Sequence, residues 1–172
     1  MAIREWLRRP GLISAQRRLE HFPPFRKMGI KVVELSGDWR QVRIRLPLSA
    51  QNRNPGGTMF GGAVAALADP IPVLACDRLF PGNAVWTREL NVDFRKPGSA
   101  DLELRFAFEV EVERQIREDL AHQGRSTPSF EFGFYLPDGN ISVWIINRVA
   151  IRPLQDSMKS NGALASRTTK IQ

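Results

Sequence analysis

From Phe60 to Cys76 small and apolar residues occupy every side of a helix, and Asp69 is the one charged side chain between Arg53 and Asp77. A helix without a polar face has to be enclosed, and this requirement narrows the fold more than any other feature. Asp69, Pro70 and Pro72 interrupt the run, and no other segment offers the ~18 uninterrupted apolar residues of a membrane span, so the stretch reads as a buried helix. Thr58 is the expected N-cap. Pro70 and Pro72 carry no amide hydrogen for the carbonyls of Ala66 and Ala68, so a kink is expected there.

The rest of the chain supplies the enclosure. Residues 30–35 and 39–46 read as a hairpin around Gly37-Asp38, with Val42, Ile44 and Leu46 alternating with polar neighbours. Residues 47–57 are a loop. Beyond the helix, Leu90, Val92 and Phe94 alternate with polar residues, as do Leu102, Leu104, Phe106 and Phe108. Phe130, Phe132, Phe134 and Leu136 mark a fifth strand, Pro137-Asp-Gly-Asn a hairpin turn, and residues 141–151 a sixth strand. Residues 109–123 are charge-dense and fit either a strand extension or a short surface helix. Residues 3–9 and 13–21 look helical, separated by Pro10-Gly11 and closed by Pro23-Pro24. The organisation expected is an N-terminal helical extension (1–22), one domain (23–153) and a polar tail (154–172). One-faced strands need a cover, and an apolar helix across their concave side meets both needs. Apolar surface left over would favour dimerisation.

The chain of 172 residues carries a formal charge of +7. Residues 1–27 hold seven basic side chains against two acidic ones and residues 155–172 three against one, while the stretch between them balances. The excess belongs to the ends and argues for no nucleic-acid partner. Cys76 is the single cysteine, which leaves no disulfide framework and no multi-cysteine metal site. With no apolar core of a signal peptide ahead of Pro10, a cytoplasmic protein is expected.

Two features of the helix suggest chemistry. Gly61 and Gly62 fall in the first turn, where backbone N–H groups have no partner inside the helix. Such a donor at the positive end of a helix suits a carbonyl oxygen gaining negative charge, the oxyanion requirement of acyl transfer; close packing of a small-residue helix would also select the two glycines. Asp69 shares its face with Gly62, Ala65, Ala66, Val73 and Cys76. Desolvation there would make it a stronger base, whereas a structural role would have it cap the break at Pro70.

The run Asn54-Pro-Gly-Gly-Thr-Met-Phe60-Gly61-Gly62, followed by Leu67-Ala68-Asp69, resembles the Asn-x5-His-Gly-Gly-x7-Asp pattern of hotdog-fold acyl-CoA thioesterases of the phenylacetyl-CoA type, and more closely a bacterial branch of that superfamily of unknown function. The resemblance covers roughly residues 23–153. It implies an α+β hotdog fold, a curved antiparallel sheet of about six strands around one central helix, and hydrolysis of an acyl- or aryl-acyl-CoA without a cofactor or metal. By position, it implies Asp69 as base or nucleophile, the Gly61 amide as oxyanion donor, Asn54 orienting substrate or water, and Thr87 placing the attacking water. It further implies a homodimer, open to a dimer of dimers, with Asp69 facing the helix start of the partner. Phe60 departs from the pattern by replacing histidine; it and Gly62 become candidates for acyl-group contact. A non-catalytic acyl- or lipid-binding protein of the same fold is the competing reading.

Overall fold

The computed structural model describes residues 14–154. The helix expected over residues 3–9 and the tail from residue 155 lie outside them. Two short helices, α1 (Ala15–His21) and α2 (Pro23–Met28), lead into strand β1 (Lys31–Leu35). Pro23-Pro24 therefore opens a helix where the sequence suggested only an end to one: proline fits the first helical positions, whose amides lack partners in any case. Leu19 and Phe25 are buried in the core, and the Val32 amide donates to Glu20 Oε1 at 2.9 Å, which seats α1 on β1.

Strand β2 (Gln41–Leu46) is followed by a loop and then by the central helix in two pieces, α3 (Gly61–Ala68) and α4 (Pro70–Leu79), joined at Asp69. After them come β3 (Asn83–Phe94), β4 (Leu102–Ala107), α5 (Val110–Gln123), β5 (Ser129–Tyr135) and β6 (Ile141–Pro153). The six strands form one antiparallel sheet in the order β1-β2-β4-β5-β6-β3. This is the expected hotdog fold.

Register fixes which side chains meet the helix. Val32, Ile44, Leu104, Phe134, Val143 and Phe94 lie in one row across the sheet, each opposite the next. The four central members are buried, so the alternation legible in the sequence is that of the core-facing side. Each large side chain buried in this way contributes about 1.5–3 kcal/mol. From the helix, Val64, Leu67, Ala68, Ile71 and Ala75 meet this sheet, all exposed by 1% or less. Phe106, Phe108 and Phe130 add an aromatic cluster with ring centroids 5.0–6.2 Å apart.

The sheet ends differently at its two edges. β3 pairs along its length with β6 and has no strand on its other side, and Phe94, at the end of the apolar row, is 57% exposed. The helix is likewise covered on one side only: Gly62, Ala66 and Asp69 face solvent in the single chain. The expectation of an enclosed helix is thus not met among the described residues, because a single sheet can cover one flank of a helix and none of these residues covers the other.

Residues 109–123 resolve as helix α5. Val112, Ile116 and Leu120, four residues apart, give it a narrow apolar stripe, and only Ile116 is fully buried. Most of the remaining positions are polar or charged, which is why no period stood out. Arg40 on the β1–β2 hairpin anchors the helix, its Nε and Nη2 donating to Glu113 at 2.8–3.0 Å, and Arg117 donates to the same carboxylate at 2.6 Å. Burial pushes the Glu113 pKa up, but the hydrogen bonds from Arg117 and Arg40 outweigh it and hold the group below the ordinary glutamate value. A depressed folded-state pKa stabilises the fold at pH above the unfolded-state value of about 4.3, and this contribution is lost as pH falls through the folded-state value. Thermal unfolding of wild type and Glu113→Gln should therefore differ most above pH ~5 and converge in acid. A difference that persists undiminished at low pH would contradict this anchoring role.

Candidate active site

The loop before α3 is held by two asparagines. Asn52, buried, donates from Nδ2 to the carbonyls of Met28 (2.7 Å) and Pro47 (2.9 Å). Asn54 closes a turn on Thr58: its Nδ2 donates to Thr58 Oγ1 (2.9 Å), its Oδ1 accepts from the Thr58 amide (3.1 Å), and its own amide donates to the Thr58 carbonyl (2.8 Å). Thr58 is therefore not the helix cap. The cap position falls on Phe60, in extended conformation (φ −69°, ψ 122°), and the helix starts at Gly61. The Phe60 amide donates to the Asn52 carbonyl at 2.7 Å and the Met59 amide to the Gly98 carbonyl at 2.8 Å, so the backbone leading into the helix is fixed on both sides.

Gly61 and Gly62 occupy the first turn as expected, and among the described residues neither amide has an acceptor. Two phenylalanine rings lie against them. A Cβ on Gly61 would sit 2.8 Å from the Phe94 ring, and one on Gly62 would overlap the Phe60 ring. The absent side chains admit the aromatic rings, and among the described residues the two amides stay unpaired at the helix end. Beside them lies a cavity of about 430 Å³ lined by Gly61, Val64, Met59, Phe94, Leu102 and Val143, with Asn54, Arg95 and Lys96 also on its wall.

Asp69 marks the junction of the two helical pieces. Its amide donates to the Ala65 carbonyl (3.0 Å), and its carbonyl accepts from Thr87 Oγ1 and from Asn147 Nδ2, each at 3.1 Å. The Asp69 side chain is exposed, so the apolar enclosure expected of its helix face is not supplied by the described residues. Thr87 lies beside Asp69, with its hydroxyl proton directed at the backbone carbonyl.

The sites singled out from sequence therefore fall into two groups. Asn54, Phe60, Gly61 and Gly62 surround the helix start; Asp69 and Thr87 meet at the helix break. Eight residues of helix separate Gly61 from Asp69, on the order of 12 Å at 1.5 Å per residue, so one chain does not bring the amide and the carboxylate to one carbonyl group.

Sequence reasoning missed Asn147. It is fully buried, and its Oδ1 has no hydrogen-bond partner among the described residues. The signal was available: Asn147 falls in phase with Val143, Ile145, Val149 and Ile151, the inward positions of β6. A lone amide in such a row requires an inward partner, here the Asp69 carbonyl.

Thr87→Val and Asn147→Ala should each lower stability by about 0.5–1.5 kcal/mol in urea unfolding. Because both donors share one acceptor, the double variant should show a coupling energy. Strictly additive losses would show that the two bonds do not act as a unit.

The comparisons with known proteins agree with this fold. A Pseudomonas aeruginosa protein of unknown function, PA5026, described as "Probable Thioesterase", superposes with a TM-score of 0.71 at 21% identity, over 80% of this chain and 92% of that one. The Haemophilus influenzae thioesterase HI1161 gives 0.63 at 16% identity, over 87% and 95%. The Escherichia coli PaaI protein from the phenylacetic acid degradation operon gives 0.58 at 19%, over 78% and 88%. Among curated proteins none matches the chain. At these identities the likeness establishes the architecture, while residues 14–143 match a family model, and the chain belongs to that family, described as Domain of unknown function (DUF4442).

Proposed function

We propose that the protein is an acyl-CoA thioesterase acting as a homodimer, with the Asp69 carboxylate of one protomer opposite the Gly61 amide of the other. The observation that carries this reading is the Gly61 amide, unpaired among the described residues at a helix N-terminus and bordering a cavity whose wall holds both apolar and polar side chains. There it can donate to the thioester carbonyl oxygen and hold the negative charge that forms when the carbonyl carbon is attacked. Asp69 either removes a proton from the attacking water or attacks directly, forming an anhydride that water then opens. In both cases the C–S bond breaks, CoA leaves as the thiol after gaining a proton, and the acyl group leaves as a carboxylic acid.

A second copy supplies what one chain lacks. The exposed face of Gly62, Ala66 and Asp69, the exposed rings of Phe60 and Phe94, and the unpaired edge of β3 together form the surface that dimerisation would cover. Covering it would desolvate Asp69. Thr87 retains oxygen lone pairs with which to receive a hydrogen bond from water, and Asn54 acts through Thr58 by setting the turn that aims the Gly61 amide. Phe60 and Gly62, with the cavity wall, would receive an aryl or aliphatic acyl group. A CoA thioester substrate and a single, buried cysteine that forms no disulfide both support a cytoplasmic setting.

A non-catalytic acyl-binding role is favoured by one observation, the exposed Phe60 ring where the resembling family has histidine. Native mass spectrometry showing a retained acyl ligand, with no hydrolysis across an acyl-CoA panel, would establish it in place of catalysis.

Asp69→Asn should lower acyl-CoA hydrolysis by about two to four orders of magnitude while leaving the protein folded. Gly61→Pro removes the amide hydrogen on a backbone that admits proline, since Phe60 is already extended, although its Cβ requires the exposed Phe94 ring to move; it should be similarly impaired, and far more so than Gly61→Ala, which adds the same Cβ and keeps the amide hydrogen. Mixed dimers of the two inactive variants hold one intact site in half the population, so co-expression should restore about a quarter of wild-type activity. Absence of recovery would overturn the shared site, and unimpaired Asp69→Asn would overturn the assignment.

A further inference from the structure

The side of the sheet turned away from Asp69 carries charge that the site above does not use. Thr87 and Asn147 point at the helix, so alternation turns Trp86 on β3 and Arg152 on β6 to the opposite face. Arg152 is pinned there without a carboxylate. Its Nη1 donates to the carbonyls of Ser126 (2.5 Å) and Ile151 (2.7 Å), and its Nη2 donates to Thr127 Oγ1 (3.0 Å). The Nε–H and one Nη2–H carry no bond among the described residues, leaving an open donor pair. The guanidinium carbon lies 6.0 Å from the centre of the Trp86 ring, whose indole is 43% exposed.

Arg125 precedes Ser126, whose carbonyl holds Arg152, and Arg88 stands in the bulge of β3 two residues from Trp86, so the chain brings both arginines to the Arg152 side of the sheet. Burial, followed by the like charges of Arg125 and Arg88, draws the Arg152 pKa below the ordinary arginine value. Four other arginines on or beside this sheet are neutralised: Arg43 and Arg105 by Glu103, Arg148 by Glu89, Arg95 by Asp93. Among the described residues no carboxylate forms an ion pair with Arg88, Arg125 or Arg152. The neighbouring acids are committed, Glu89 to Arg148 at 3.0 Å and Asp119 to Ser126 Oγ (2.6 Å) and Gln115 (2.9 Å). Three converging cations beside an open indole face suit an anion carrying several oxygens and a flat ring.

We propose that Arg88, Arg125 and Arg152, together with Trp86, form a binding site for a phosphate-bearing nucleotide. The arginines take the phosphate oxygens and Trp86 stacks on the base. A free nucleotide and the 3′,5′-ADP end of CoA share this chemistry, and only the second source rests on the thioesterase reading.

Calorimetric titration with 3′,5′-ADP tests the site without any turnover. Wild type should bind saturably. Arg88→Gln, Arg125→Gln and Arg152→Gln should each weaken binding about tenfold or more, as expected for loss of a charge-assisted contact. Arg148→Gln, whose partner is Glu89, should bind within about twofold of wild type, since surface pairs are worth little. Trp86→Leu should reduce the nucleotide to the affinity of inorganic phosphate. Arg88 and Arg125 are exposed, so their variants keep the test valid if Arg152→Gln unfolds. Absence of saturable binding, or equal affinity in the arginine variants, would overturn the site. A KM raised for acyl-CoA but unchanged for the acyl thioester of N-acetylcysteamine identifies the CoA tail as the ligand. Lost nucleotide affinity with both KM values unchanged identifies a separate nucleotide.

Discussion

Pro70 and Pro72 remove two amide hydrogens from the middle of the central helix, and the way the sheet meets that break organises everything near it. The Asp69 carbonyl, at the junction, receives a hydroxyl from β3 and an amide from β6. Two adjacent strands thus hold one point of the helix, and that point carries the only charged side chain of its apolar run. Asn147 donates from full burial, where a polar group left unmatched is costly, so its amide orientation follows from the Asp69 carbonyl and leaves Oδ1 as the orphan. Thr87 is similarly committed as a donor. The carboxylate itself takes no part in these bonds, which fix its backbone while leaving the side chain free for a partner or substrate.

Much of this fold was legible because its strands have one wet and one dry face. Val42, Ile44 and Leu46 face Phe106, Leu104 and Leu102 in direct register, and the period-two pattern in each strand is the trace of that ladder. The helix was legible for the opposite reason, having no polar face to give a period. What escaped was local. In α5 only Val112, Ile116 and Leu120 record the packing, and the Arg40–Glu113 contact that anchors it joins residues 73 apart in sequence. In α2 two prolines opened a helix because the first turn needs no amide donors.

The candidate site was legible as residue types and only in part as arrangement. Spacing placed Gly61 and Gly62 in a first turn even though the cap proved to be Phe60, since a shift of two residues still leaves both within the unpaired amides. Spacing could not show that the Asn54 amide is spent on Thr58, nor that Asp69 is exposed, because both depend on which surfaces the chain leaves open. Asn147 required knowing which side of β6 faces inward, and the Arg88, Arg125 and Arg152 cluster required the pairing of β3 with β6 and the bridge from Ser126 to Ile151.

The exposed face of the helix follows from the same geometry. A helix that is apolar all round is covered by one sheet on half of its surface only, and among the described residues nothing covers the rest. Adding polar residues to the bare flank would have solved this for a monomer, yet Gly62, Ala65 and Ala66 are small and apolar where such residues would stand. Small side chains there gain nothing from solvent and lower helix–solvent compatibility, but they permit close approach of a second surface. The lone charge on that flank, Asp69, lies about 12 Å from the amide it would serve, a distance that a second, oppositely running copy of the helix would bridge. The composition of the bare flank and the separation of the two groups therefore pose one constraint, and the homodimer proposed above would answer both at once.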